Sequence, residues 1–203
     1  DLKSIGYRQI HIINDGSTDN TAILAKEEGV DLISHVVNRG AGAASQTAIA
    51  MAKQKAWDIL VLMDADGQHK VSDVLKLHNH LSMYDFDIVI GNRFVNQTNS
   101  IPLSRIWLNR LANKLTNVFC SGHYHDTQSG FRILNRKAIE ALDLKVDGFG
   151  FCSEMIIVGE KQGLKIGEAP IEVEYSEYSL SKGQSFGKGL STAFNFIWRV
   201  IFN

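Results

Sequence analysis

The chain alternates short β-branched or apolar runs with stretches whose apolar residues recur at helical spacing. Gln9-Ile10-His11-Ile12-Ile13 is a β-branched run closed by Asn14-Asp15-Gly16, a strand running into a turn. Ser17 to Thr21 offers several N-caps for a helix through Glu28. Leu32 to Val37 reads as a second strand and the Ala-rich stretch Ala41 to Lys55 as a helix. Trp57 to Met63 is apolar at nearly every position, the pattern of a strand covered on both faces. Val74, Leu75, Leu77, His78 and Leu81 give Val71 to Met83 a helical period, and Phe86 to Ile90 is a fourth strand. Strands alternating with helices at these lengths predict an α/β fold, a mostly parallel central sheet flanked by helices. Ligands of such sheets sit at the carboxyl ends of the strands, so the turns after Ile13, Met63 and Ile90 are expected to line one site.

The second half is less regular. Helices are expected at Arg105 to Phe119, Arg136 to Leu142 and Cys152 to Gln162, with a strand from Lys165 to Tyr175. A Gly/Ser-rich loop from Ser179 to Gly189 leads into a last helix within residues 187–203. That helix is apolar on most sides, which suits packing on the core or on a partner, or an interfacial position beside a lipid. No repeat, linker or low-complexity tract divides the chain, so residues 1–203 read as a single domain.

Composition narrows the function classes. The chain has 203 residues, 44% hydrophobic and 21% charged, which is ordinary for a globular domain with its own core. A net charge of -1 provides no overall basic field for nucleic acid or anionic lipid, so phosphate recognition falls to a few local Arg and Lys residues. Cys120 and Cys152 fit neither a disulfide framework nor a zinc spacing and read as reduced core residues. No stretch approaches the ~20 apolar residues of a membrane span and no signal peptide is visible. The expected location is cytoplasmic, with the inner face of the membrane accessible to the last helix. Oligomeric state is not legible.

The strongest local chemistry is Asp64-Ala65-Asp66-Gly67-Gln68-His69, directly after the apolar strand. Two carboxylates two residues apart at a Gly turn can face one hard cation, Mg2+ or Mn2+, with Gln68 as a neutral oxygen ligand. Taken alone, the same segment reads equally as a solvated acidic turn. Asn14-Asp15-Gly16-Ser17-Thr18-Asp19 places Asp15 where a base or ribose hydroxyl would meet it, or where it would simply cap a helix. Asp126-Thr127-Gln128-Ser129-Gly130-Phe131-Arg132 sets an Arg beside a polar turn, suited to a phosphate fork or to a surface ion pair. Gly40-Ala41-Gly42-Ala43-Ala44-Ser45 approaches a dinucleotide fingerprint but lacks its third Gly. His69, His123 and His125 show no zinc spacing and read as surface histidines. Glu154 stands at a helix start, where it favours the dipole or faces an acceptor.

Taken in order, Asn14-Asp15-Gly16-Ser17, Asp64 to His69, Gly91-Asn92-Arg93, Ser129-Gly130-Phe131-Arg132 and Gly167-Glu168-Ala169-Pro170-Ile171 resemble the family 2 glycosyltransferases. The resemblance runs from about Ile10 to Gln184. It is strongest to the polyprenyl-phosphate branch typified by dolichyl-phosphate mannose synthase. It implies a GT-A fold, a GDP- or UDP-sugar donor, a divalent cation and inversion at the anomeric carbon. Residue by residue, Asp15, Asp64, Ala65 and Lys182 match donor contacts, and Asp64, Asp66 and Gln68 match metal and diphosphate ligands. Arg93, Arg105 and Arg132 match phosphate-binding arginines, so that Asp66, Arg93 and Arg132 form the implied catalytic set. Asn109 stands where relatives carry a phosphate-binding Ser, and Ser176 where they carry an Arg. The family's opening strand, with its Pro-x-Tyr-Asn-Glu turn, is missing ahead of Ile10.

The implied acceptor is a polyprenyl phosphate, already ionised and needing no general base. A glycan hydroxyl acceptor would instead call on Asp126 or Glu154 as base. A non-catalytic nucleotide-sugar-binding protein is the reading from outside the enzyme class.

Overall fold

The computed structural model describes residues 1–95 and 103–174, with only the backbone for residues 103–105. The expected helix at 187–203, and with it Lys182 and Ser176, lies outside the described residues. Strands β1 (His11–Asn14), β2 (Asp31–Ser34), β3 (Ile59–Leu62), β4 (Ile88–Asn92), β5 (Arg132–Asn135) and β6 (Ile166–Pro170) are connected by helices. The helices are α1 (Thr21–Glu27), α2 (Ala41–Gln54), α3 (Ser72–Met83), α4 (Leu103–Asn117), α5 (Arg136–Ala141) and α6 (Phe151–Lys161). Each expected element that falls within the described residues has its counterpart there, although the strand expected from Lys165 to Tyr175 ends at Pro170.

One strand was not expected. The larger sheet runs β3-β5-β4-β6, with β5 antiparallel to both neighbours while β3, β4 and β6 point the same way. β5 is only four residues long and begins on an Arg, so nothing in its composition marks it as a central strand. Burial on both faces holds it there: Ile133 and Leu134 are fully buried on opposite sides. β1 and β2 pair in parallel as a separate two-stranded sheet. β1 and β3 do not pair, and α2 packs against both.

The alternation along each strand builds two cores. Leu60, Leu62, Ile88, Ile90 and Leu134 point toward α2, α5 and α6. Val61, Val89 and Ile133 point the other way, where Val74, Leu77 and Leu81 of α3 cover them. At ~25 cal/mol per Å2 of apolar area, two such faces supply most of the drive to fold. They also fix the carboxyl ends of β3 and β4 side by side with only β5 between them.

Candidate active site

Asp64 and Asp66 follow the end of β3, and Gly67, at φ +78°, makes the turn that L side chains resist. Asp66 accepts from the Gln68 backbone N–H at 3.0 Å and from the Gln68 amide at 2.6 Å. The Gln68 amide nitrogen is thereby occupied and its oxygen is left to serve as a ligand. Protein crowds the Asp64 carboxyl on most sides although much of its side chain meets solvent. That crowding, then the Asp66 charge, raises its pKa, while Arg93 opposes the rise. Gly130 is what admits this approach, because a Cβ there would lie 3.1 Å from Asp64 Oδ2.

The donor set suits a hard divalent cation: two like-charged carboxylates and a spare amide oxygen. Among the described residues, no three His, Cys, Asp or Glu side chains converge as a complete cage. An ion held by so few protein oxygens keeps positions for water and substrate phosphate, the habit of Mg2+ and Mn2+.

Arg93 follows β4. Its Nε and Nη2 donate to Asp126 at 2.8 and 2.7 Å, and its backbone N–H donates to the same carboxylate at 2.9 Å. Asp126 is wholly buried, and its own N–H is taken by Glu168 at 2.8 Å. Glu168 also accepts from the backbone and ring of His125. A chain of carboxylates therefore sets the angle of Arg93 from behind, a relation no local motif announces.

Three sequence readings need correction. Arg132 is not on the surface of a phosphate site: it is fully buried, its Nε and Nη2 donate to the carbonyls of Ser129 and Thr127 at 2.9 and 2.8 Å, and its Nη1 has no hydrogen-bond partner among the described residues. Burial lowers its pKa. As the first residue of an interior strand it braces the 127–130 turn. His69 is not at the surface either: it is buried against Phe131, and burial followed by the Arg93 charge lowers its pKa to about 4, so it is neutral. Glu154 accepts from the Lys145 and Val146 backbone N–H groups at 2.8 and 2.9 Å and anchors that loop.

Asp15 follows β1 with its carboxylate turned inward. It accepts from His35 Nδ1 at 2.7 Å, from the Gly40 N–H at 2.5 Å and from the Arg39 N–H at 3.1 Å. Burial works against the charge, but these bonds outweigh it and hold the pKa below normal. They use most of the accepting capacity of a carboxylate. Gly16, at φ +68° and with Asn38 N only 2.7 Å from a would-be Cβ, lets the turn close on this loop. The Gly40–Gly42 segment is no dinucleotide cradle, because the carbonyl of Val146 lies 2.0 Å from where a Cβ on Gly42 would stand. Arg39 instead pairs with Asp147 at 2.9 Å.

Asn109 is half-buried on α4, and the Arg105 side chain lies outside the described residues. Ala65 sits between the two carboxylates in the turn after β3. Cys152 is buried and Cys120 half-buried; both are free, and burial lifts their thiols to about 11 and about 12. They are inert at neutral pH.

A mixed sheet with acidic turns at its carboxyl edge and a fixed Arg opposite defines a GT-A glycosyltransferase. Residues 5–143 match the family model described as Glycosyl transferase family 2, and the chain belongs to that family. An uncharacterised protein of Methanocaldococcus jannaschii is 37% identical over 205 residues, covering 99% of this chain and 84% of that one. The UDP-N-acetylglucosamine–dolichyl-phosphate N-acetylglucosaminyltransferase of Methanococcus voltae is 32% identical, covering 90% of this chain and 81% of its own. Polyprenol monophosphomannose synthase of Mycolicibacterium smegmatis is 30% identical, covering 86% and 70%. Glucosyl-3-phosphoglycerate synthase from Mycobacterium tuberculosis, in complex with Mn2+ and UDP-glucose, superposes with a TM-score of 0.67 at 18% identity. That match covers 93% of this chain and 65% of the other and establishes a shared fold.

Proposed function

We propose that the chain transfers a sugar, with inversion, from a GDP- or UDP-sugar to a polyprenyl phosphate at the membrane face. One observation carries the acceptor assignment: both carboxylates available as a base for a sugar hydroxyl are already committed. Asp126 gives both oxygens to Arg93, and Glu154 gives both to the 145–146 backbone. An acceptor that arrives ionised needs no base. The names of the Methanococcus voltae and Mycolicibacterium smegmatis relatives point the same way.

In this reading Asp64, Asp66 and the Gln68 oxygen hold Mg2+ or Mn2+, which when bound neutralises charge developing on the departing nucleoside diphosphate. Asp15 holds the Asn38–Gly40 loop in shape and keeps at most one acceptor position for the nucleoside. Ala65 lies against the donor, and Lys182, outside the described residues, is assigned to its diphosphate by the family resemblance alone. Arg93, oriented by Asp126, binds the acceptor phosphate with Arg105 and Asn109 from α4. Arg132 takes no direct part. Its work is to hold the turn that carries Gly130 against Asp64.

The test is transfer of radiolabelled sugar into an organic-extractable product. Asp66→Ala should abolish transfer and leave the melting temperature within a degree or two of wild type, because a solvent-facing turn carboxylate adds little to the core (about ±0.5 kcal/mol). Arg93→Lys should lower use of the lipid acceptor by about tenfold or more, since Lys lacks the planar fork. Label confined to water-soluble glycan would refute the acceptor.

A further inference from the structure

Of the residues from Asp64 to His69, the last has no part in the transfer described so far. The His69 side chain is only 5% exposed, and its ring centroid lies 4.8 Å from that of Phe131, tilted by 41°. A Phe would fill the same slot and pack on the same neighbour. The imidazole instead carries two polar nitrogens into the interior, and Nδ1 has no hydrogen-bond partner among the described residues. A buried polar atom left unpaired destabilises the fold, so what a His contributes here lies with its other nitrogen. Nε2 stands 4.0 Å from Asp64 Oδ2.

The surroundings of the two nitrogens decide where the proton of the neutral ring sits. On Nε2 it is directed at the carboxylate and strands only a lone pair at Nδ1. On Nδ1 it would bury an N–H without an acceptor and set a lone pair against a negative oxygen. The donor is therefore Nε2. Its place is fixed through the backbone. His69 bridges Val173 in antiparallel register, and the Glu174 N–H donates to the Gln68 carbonyl at 2.9 Å. Oδ2 is also the oxygen of Asp64 nearer the interior, since a Cβ on Gly130 would lie 3.1 Å from Oδ2 and 3.7 Å from Oδ1.

We propose that His69 is a positioning residue for Asp64: its Nε2–H attracts the inner oxygen Oδ2 and leaves Oδ1 turned to the cation. At 4.0 Å the contact is longer than a hydrogen bond, so it biases the carboxylate without locking it. Asp66 is braced differently, by two bonds from Gln68. Support of a ligand from behind sets its direction and with it the affinity for the ion. This role rests on the assignment of the cation to Asp64, Asp66 and Gln68, and it holds for either class of acceptor.

The experiment titrates the full chain with Mn2+ alone, reading the free ion by electron paramagnetic resonance, and follows thermal unfolding of the same preparations in EDTA. His69→Phe, which keeps a ring on Phe131 and removes the donor, should weaken Mn2+ binding by about tenfold. Its Tm in EDTA should equal or exceed that of wild type, because no nitrogen is stranded. His69→Gln, whose amide N–H can take the place of Nε2–H, should bind Mn2+ within about threefold of wild type. Asp66→Ala should lose the ion. If Asp66→Ala binds Mn2+ like wild type, the cation assignment fails and the role of His69 falls with it. If Asp66→Ala loses the ion while His69→Phe binds it as wild type does, the cation assignment stands and His69 alone is overturned. Equal losses of affinity in His69→Phe and His69→Gln, in step with their melting temperatures in EDTA, would mark a purely structural residue and overturn the proposal as well. So would spin-echo modulation from an imidazole nitrogen bound directly to Mn2+, which would make His69 a ligand.

Discussion

Arg93 and Asp126 meet as fork and carboxylate, two parallel N–H···O bonds at 2.8 and 2.7 Å with the Arg93 backbone N–H on the same acid. The pair spans 33 residues of sequence and couples the end of β4 to the turn before β5. Asp126 is fully buried with both of its oxygens on Arg93, and Arg93 depends on it for direction. Orientation of the Arg93 guanidinium is thus a property of the fold.

Removing one partner of such a pair strands the other. Asp126→Ala should destabilise the protein by about 3 kcal/mol or more and lower kcat/KM for the lipid acceptor at temperatures where the protein remains folded. Urea unfolding and transfer kinetics on the same preparation separate the two effects. Asp126→Asn, which keeps the shape but loses the charge, should fall between Ala and wild type in both.

His35 orients the other end of the site. Its Nδ1 meets Asp15 and its Nε2 meets Thr47 Oγ1 at 2.8 Å, bridging the turn after β1 to α2. His35→Ala should free Asp15 and loosen the Asn38–Gly40 loop. Donor KM should rise by about fivefold or more while kcat changes less, since a binding contact is lost and not a charge at the reacting centre. An unchanged donor KM would remove His35 from donor recognition.

The pH dependence of stability has an identifiable contributor in Glu160. It accepts from the Ser121 and Gly122 N–H groups and from the Tyr124 hydroxyl at 2.7 Å. Burial opposes its charge, yet these bonds win and hold its pKa below 4.5. A carboxylate depressed on folding stabilises above its unfolded pKa and loses that effect as pH falls through the folded value. Wild type should therefore exceed Glu160→Gln by roughly 1 to 2 kcal/mol near neutral pH, with the gap closing only below about pH 4.5. Chemical denaturation at a series of pH values reads this directly.

Arg132 gives a discriminating substitution. Placed on acceptor phosphate, Arg132→Met would lose transfer and keep its fold. Buried as found, it should lose stability first, by about 2 kcal/mol or more, because the carbonyls of Thr127 and Ser129 are left without donors. Thermal unfolding set against residual specific activity decides between these outcomes.

Much of the fold was legible because its signals are local. Apolar runs and helical periods depend on neighbours a few residues away, so β1 to β4, α2 and α3 stand within a few positions of where the pattern puts them. Asp64 and Asp66 were legible for the same reason, being two residues apart at the end of one strand, as was the family, through short motifs in order. Tertiary structure alone decided the rest. β5 is too short and too polar at its start to announce itself, and only burial on both faces makes it the interior antiparallel strand. That placement turned Arg132 inward and brought Asp126 to Arg93. Asn113 and Asn117 look like ordinary surface residues of α4 until residues 124–127 arrive to bond them. That arrival turns Trp107 and Leu111 outward, because backbone groups that leave water must find partners before apolar side chains can choose a face.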